Sequence, residues 1–309
     1  MNNNNFISKA YRFNHFIYIN LFVLGRYNCC YFHSFKIFIF NIFYHSQYRF
    51  QFIYYFCQMN FHLNKKNKSL KNSLLETISN FNSFDNAFNT GKRNSVKKVE
   101  LADKTIIIKS YKTPNLINQF VYKYFRKSKA RRSFEYASKL SELDVKTPSQ
   151  IAYIEYFSLF GLQKSFYISE FIDYDLTYRE LTKNPDYPNH ENILRQFTKF
   201  TWQLHEKGIY FKDHSPGNSL IVKNGENYNF YLVDLNRMSF FELDFESRMK
   251  NFSRLTPKKE MVKIMSDEYA KLSGEDFKTV FEKMWLYTEQ FQKKFYRKKR
   301  LKQKILGRK

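Results

Sequence analysis

The sequence predicts an α+β chain, on three observations. Two apolar strand patterns stand apart, Lys104–Tyr111 and Phe166–Asp173. Apolar residues recur at helical spacing over 117–143 and 191–207. Between Ser219 and Val233 two short apolar runs flank a polar stretch, the pattern of a hairpin. A chain of 309 residues accommodates one large domain or two modest lobes around a cleft.

Composition narrows the partners. With 43% hydrophobic residues the chain can build a core, and its formal charge of +24 draws it to anions: nucleic acid, an acidic membrane face or a phosphorylated glycolipid. The three cysteines (Cys29, Cys30, Cys57) show neither metal-ligand spacing nor a disulfide framework. The rest of the fold is therefore expected to stand without disulfides, which suits a reducing cytoplasm.

Residues 1–58 differ from the rest, with twelve Phe, eight Tyr, eight Asn and no acid. Arg26, Lys36 and Arg49 interrupt the apolar runs, and none reaches the roughly 18 residues of a spanning helix. No compact apolar core precedes a small-residue cleavage site, so a secretory signal fits poorly. Three readings stay open: translation of an AT-rich upstream stretch with the natural start at Met59, a peripheral membrane-seeking segment, or an extra packed element.

The elements that follow justify themselves in order. Thr90-Gly91-Lys92-Arg93-Asn94 is either a phosphate-covering loop, through backbone amides near Gly91 and the Arg93 side chain, or a plain hairpin turn. Lys104–Tyr111 places Lys109 near a strand end. Residues 117–143 are expected to form one long helix, with Glu135 on it and Glu142 as the weaker alternative carboxylate. Phe166–Asp173 is a strand running into a linker. The helix of 191–207 meets Gly208, which takes the left-handed conformation at no steric cost, and Ile209–Phe211 reads as a short buried strand. His205 is expected to pack beneath the following loop. His214 has no second histidine at ligand spacing, and Trp202 and Trp285 read as core. Ser273–Asp276 opens the last helix.

The chemistry lies in Lys212-Asp213-His214-Ser215-Pro216-Gly217-Asn218 and the hairpin after it, which delivers Asp234. An aspartate, an asparagine five residues on, and a second aspartate past a hairpin form a set suited to phosphoryl transfer. That reaction needs a carboxylate to orient the hydroxyl and accept its proton, and oxygen ligands for metal beside the phosphates.

The stretch Leu204–Arg237 resembles the catalytic loop and metal-binding segment of kinase-like phosphotransferases, above all the bacterial lipopolysaccharide kinase family. That family includes kinases of Kdo (3-deoxy-D-manno-octulosonic acid) and of core heptose. The resemblance extends through Lys112–Asn118, Phe125–Ala130 and Thr147–Glu155, covers most of 59–245, and weakens afterwards. It implies a two-lobed protein-kinase-like fold: an N-lobe (59–172) of a small sheet with one long helix, and a mainly helical C-lobe (173–309) ending in a basic tail. It further implies ATP and Mg2+ as cofactors, Asp213 as catalytic base, and Asn218 and Asp234 as metal ligands. Lys109 is implied for the α- and β-phosphates, Glu135 for holding Lys109, and the backbone of Glu170 and Ile172 for adenine.

The acceptor is expected to be small or lipid-borne. Asp234-Leu-Asn236 lacks the glycine that protein kinases carry there. No Ala-Pro-Glu follows, only about 20 residues separate Asp234 from a helix near Thr256-Pro257, and Lys212 replaces the arginine that often precedes the catalytic Asp. Without residues 1–58 the chain keeps 47 of its 52 basic residues against 28 acids, a net +19. One cluster is Arg126, Lys127, Lys129, Arg131 and Arg132; the tail from Lys293 to Lys309 holds ten Lys or Arg and no acid. These features point to an anionic Kdo–lipid A type substrate, peripheral contact with an anionic membrane at the cytoplasmic face of the bacterial inner membrane, and no nucleic-acid partner. The alternatives are another small-molecule or protein kinase of this fold, and a non-catalytic protein holding RNA or membrane.

Overall fold

The structure is a computed structural model. It describes residues 11–13, 16–22, 32–40, 53–83, 87–91, 94–305 and 307, with side chains described from 58 to 83 and from 94 onward. The chain divides into two compact units: 1–135 with 149–171, and 136–148 with 172–309.

The first unit contains strands β1 (Tyr11–Phe13), β2 (Phe16–Phe22), β3 (Phe32–Phe40) and β4 (Ile53–Leu63), then helix α1 (Lys71–Ser79). Strands β5 (Ala87–Gly91), β6 (Asn94–Leu101) and β7 (Lys104–Tyr111) follow, then helices α2 (Leu116–Tyr124) and α3 (Lys129–Glu142) and strands β8 (Gln150–Ser158) and β9 (Gly161–Glu170). All nine strands form one antiparallel sheet in the order β1-β2-β3-β4-β8-β9-β7-β6-β5. Strand alternation sends Ile106 and Ile108 to one face, where they are fully buried with Leu74 and Ile78 of α1. Lys109 and Tyr111 point to the opposite face, where Tyr111 packs with Ala130 and Phe134 of α3.

The long helix expected over 117–143 is two helices. α2 begins at Asn115, whose side chain accepts from Asn118 N, and ends where the N–H groups of Phe125 and Arg126 both reach the Val121 carbonyl. Ser128 starts α3 by accepting from Arg131 N at 3.1 Å. A serine that competes for backbone donors favours a helix start over a helix interior. The basic cluster of 126–132 therefore straddles the break. α3 itself runs from the first unit into the second.

The second unit contains β10 (Leu176–Thr177), α4 (Tyr178–Lys183), α5 (His190–Glu206), β11 (Ile209–Phe211), β12 (Ser219–Asn224), β13 (Asn227–Leu232) and β14 (Met238–Phe240), followed by α6 (Phe245–Asn251), α7 (Lys259–Ser273) and α8 (Phe277–Ile305). Its main core joins α5, α7 and α8 through Ile193, Phe197, Met265, Tyr269, Val280 and Met284, with Trp202 and Trp285 packed at its margin. β14, α6 and a 3₁₀ turn (Phe252–Arg254) fill the connection of about 20 residues expected between Asp234 and the helix near Thr256-Pro257, which is α7. Asp276 accepts from Thr279 N and starts α8. Among the described residues no helix is long and apolar enough to cross a membrane.

Candidate functional site

The catalytic loop is built from its flanks. α5 stops at Gly208, whose φ of 66° lies in the left-handed region, and a Cβ there would stand 2.9 Å from the Phe241 carbonyl. The chain can therefore turn directly into β11, which pairs with β14. His214 N donates to Phe211 O and Asn218 N to Ser215 O, two tight turns that bring Asn218 back beneath Asp213. Asn218 Nδ2 donates to the Asp213 carbonyl at 2.8 Å, while its own carbonyl accepts from Val233 N at 3.0 Å. One residue, through its side-chain amide and its backbone carbonyl, thus ties the loop holding the first aspartate to the strand end that delivers the second.

Two arginines outside the motif fix Asp213. Arg254 Nη1 lies 2.7 Å and Arg237 Nη1 3.1 Å from the same oxygen, Oδ1. Arg254 also donates to the Lys212 carbonyl at 2.9 Å. Oδ2 has no hydrogen-bond partner among the described residues, on a side chain that is 16% exposed. A third arginine, Arg179 of α4, lies against Gly217, where a Cβ would come within 2.4 Å of Nη2. Arg179, Arg237 and Arg254 were absent from the sequence-derived set. Their only signal was charge, and their placement depends on tertiary packing.

The oxygen set fits a divalent metal. Because Asn218 Nδ2 is committed to the backbone, Oδ1 is the atom left to coordinate, and it has no partner among the described residues. Asp234 adopts φ 60°, an uncommon conformation for a non-glycine residue, and its Oδ1 accepts from Asn236 Nδ2 at 2.5 Å. Asn236, largely buried, is a further polar group of the site that sequence reasoning noted without assigning a role. Among the described residues no cluster of three or more His, Cys, Asp or Glu gathers as a metal cage. Magnesium suits such a sparse set, since it commonly takes one or two protein oxygens and completes its shell with water and substrate phosphate.

Both histidines are structural. His214 is buried, stacked on Phe197 with ring centroids 5.4 Å apart, and burial, with His205 and Arg254 nearby, lowers its pKa to about 3. His205 Nδ1 lies 3.0 Å from the Tyr269 hydroxyl and Nε2 3.1 Å from Asn251 Oδ1; burial lowers its pKa to about 4.

The remaining expected residues lie in the first unit or at the unit boundary. Lys109 Nζ sits 5.4 Å from the Tyr111 ring centroid. The Glu135 carboxylate accepts from Lys127 Nζ at 2.8 Å and Arg131 Nε at 2.9 Å, partners the sequence reading did not foresee. Burial pushes that carboxyl up, and these two hydrogen bonds outweigh it, so its pKa falls below the usual range. Glu170 pairs with Lys104 at 2.6 Å. Ile172, half-buried, opens the second stretch of the second unit. Gly91 ends β5 opposite Asn94 in a hairpin, and Arg93 lies outside the described residues.

The description of the lipopolysaccharide kinase (Kdo/WaaP) family matches residues 86–282, more than half of the chain. No curated protein sequence matches. Among solved structures, WaaP in complex with acyl carrier protein is similar at TM-score 0.53 and 14% identity. That match covers 76% of this chain and 99% of that one. At this identity the likeness is one of fold, and it places the chain's mixed α/β architecture beside that of WaaP.

Proposed function

We propose that this chain, which belongs to the lipopolysaccharide kinase (Kdo/WaaP) family, transfers the γ-phosphoryl group of ATP to a sugar hydroxyl of the lipopolysaccharide inner core, on Kdo or heptose. The observation that carries the reading is the loop geometry: Asn218 ties Asp213 to the strand end bearing Asp234, inside the matched segment. With Oδ1 occupied by Arg237 and Arg254, Oδ2 of Asp213 is the oxygen that orients the acceptor hydroxyl and receives its proton. The hydroxyl oxygen then bonds to the γ-phosphorus as the bond to the departing ADP oxygen breaks. Asn218 and Asp234 would hold Mg2+, which when bound would supply charge neutralisation at the phosphates. Lys109 is assigned to the α- and β-phosphates. Arg237, about half exposed beside Asp213, offers a partner to the acceptor's own anionic groups.

The reading places the protein at the cytoplasmic face of the inner membrane, where a lipid-borne acceptor would be met. Because WaaP was solved with acyl carrier protein, that protein is the first macromolecular partner to test by co-purification. The deciding assay combines the full chain, magnesium, ATP labelled at the γ-position and Kdo–lipid A. Label is expected in the lipid, and Asp213→Ala should lower it by about 10²- to 10⁴-fold, the usual contribution of a positioned base. Labelling of a different acceptor with none in Kdo–lipid A would replace the substrate. Label unaffected by Asp213→Ala would remove Asp213 from the chemistry.

A further inference from the structure

α2 is an amphipathic helix turned inside out. Its one buried residue is Gln119, a polar side chain whose Nε2 donates to the Pro114 carbonyl at 3.0 Å and whose Oε1 accepts from Gln163 at 2.7 Å. Its apolar residues Leu116, Ile117 and Phe120 face outward, continued by Phe125 just past the helix; Ile117 and Phe125 are each 77% exposed. A soluble helix normally shows the reverse arrangement, and large contiguous apolar exposure marks an interaction site.

A second element extends the same surface. The turn between β8 and β9 presents Leu159 and Phe160, also exposed. Two contacts hold it beside α2. Lys123 Nζ donates to the Ser158 and Leu159 carbonyls at 3.0 and 3.1 Å. Gly161, at φ 140°, lets the turn approach so closely that a Cβ would lie 2.3 Å from the Gln119 carbonyl carbon. Helix and turn therefore form one apolar wedge fixed on the rest of the first unit.

The charge around the wedge is predominantly positive, with Glu135 pairing Lys127 and Arg131 at the start of α3. From Lys104 to Phe134 the chain carries nine Lys or Arg and no acid, and from Tyr156 to Ser169 it carries Lys164 and no acid. Lys112 and Arg126 are exposed at the two ends of α2. Beside α2, Asn118 and Tyr122 join Lys112, Lys129 and Ser165 around a pocket of about 340 Å³ with no acidic residue in its lining.

We propose that α2 and the β8–β9 turn insert into the surface of an anionic lipid leaflet, with the basic residues around them meeting lipid phosphates and the pocket admitting one head group. A leaflet is apolar beneath and uniformly negative at its surface, and the wedge with its basic collar complements both layers. The inference rests on the reading that the acceptor is carried by a lipid.

The test is sedimentation of the full chain with vesicles of phosphatidylethanolamine and phosphatidylglycerol, beside vesicles of phosphatidylcholine alone. The full chain should bind the anionic vesicles. The Ile117→Asp/Phe125→Asp variant and, separately, Phe160→Asp should bind them at least about tenfold more weakly, because a buried charge replaces buried apolar surface. Both sites are exposed, so thermal unfolding and phosphorylation of a water-soluble, deacylated acceptor should stay unchanged. Failure of the full chain to bind anionic vesicles would overturn the inference. So would undiminished binding by both variants, or variants that lose an acidic protein partner while keeping vesicles. Because sedimentation needs neither ATP nor acceptor, vesicle binding without phosphorylation would sink the kinase reading alone, and phosphorylation without vesicle binding would sink only the wedge.

Discussion

His205 and Asn251 support the catalytic loop from below, and their hydrogen bonds fix a protonation state. Asn251 Nδ2 donates to the Phe211 carbonyl at 2.9 Å, so its Oδ1 is the atom that faces His205. His205 Nε2 must therefore carry the proton, and Nδ1 accepts from the Tyr269 hydroxyl. Protonating Nδ1 would break that acceptance in a buried site. The folded-state pKa values, about 4 for His205 and about 3 for His214, lie below the ordinary 6.5. As pH falls from about 6.5 toward 4 the unfolded chain gains protons at both positions while the folded chain does not, so stability falls with pH by up to about 1.4 kcal/mol per unit for each histidine. Urea unfolding at about pH 6.5 and pH 5 should show this loss, and His205→Gln should reduce it by the share that His205 contributes. A flat stability over that interval would mean that the histidines are not held neutral. At this scale Asp213, Asn218 and Asp234 were legible, because their spacing within one loop and hairpin is local information. Arg254 was not: it lies 41 residues from Asp213 along the chain, and only the 3₁₀ turn after α6 brings it there.

Gly208 separates two causes of backbone strain at the level of the element. It shares a left-handed φ with Gly225, at 66° and 64°. Gly225, between β12 and β13, has open space where a Cβ would stand, whereas Gly208 has the Phe241 carbonyl at 2.9 Å. Gly225→Ala should cost the conformational penalty alone, about 1–2 kcal/mol. Gly208→Ala adds a backbone clash at the β11–β14 pair and should destabilise more. It should also lower phosphate transfer by shifting the strand that leads to Asp213. Denaturant midpoints for the two variants check the order, and equal losses would show that β14 yields easily. The helix over 191–207, the strand at 209–211 and the hairpin after Asn218 were readable from periodicity and glycine placement. The break between α2 and α3 was not, because apolar residues on both sides of it keep helical spacing. The decisive signal was Ser128 acting as a cap inside a run of basic residues that read equally well as helix surface.

Across the whole molecule the excess charge gathers in more than one place, and this allows electrostatic and apolar contributions to membrane binding to be separated. α8 spans 29 residues, or about 44 Å at helical rise. Thr288 is its last buried position, and every described residue from Lys293 onward is exposed. Ending the chain after Tyr296 removes eight Lys or Arg and, among the described residues, no buried side chain, so the unfolding temperature should not change. Each basic residue near an anionic leaflet contributes on the order of 1 kcal/mol at most, and salt screens that contribution beyond about 8 Å at physiological ionic strength. The shortened chain should therefore bind phosphatidylglycerol vesicles more weakly at low salt and show a shallower dependence on salt. The Ile117→Asp/Phe125→Asp variant should behave in the opposite way, keeping a steep salt dependence while losing the binding that persists at high salt, since burial of apolar side chains is not screened. Parallel salt titrations of the two proteins would distinguish these contributions. If both lost the same salt-dependent component, the tail and the wedge would be contributing charge alone, and the apolar face of α2 would have no part in holding the membrane.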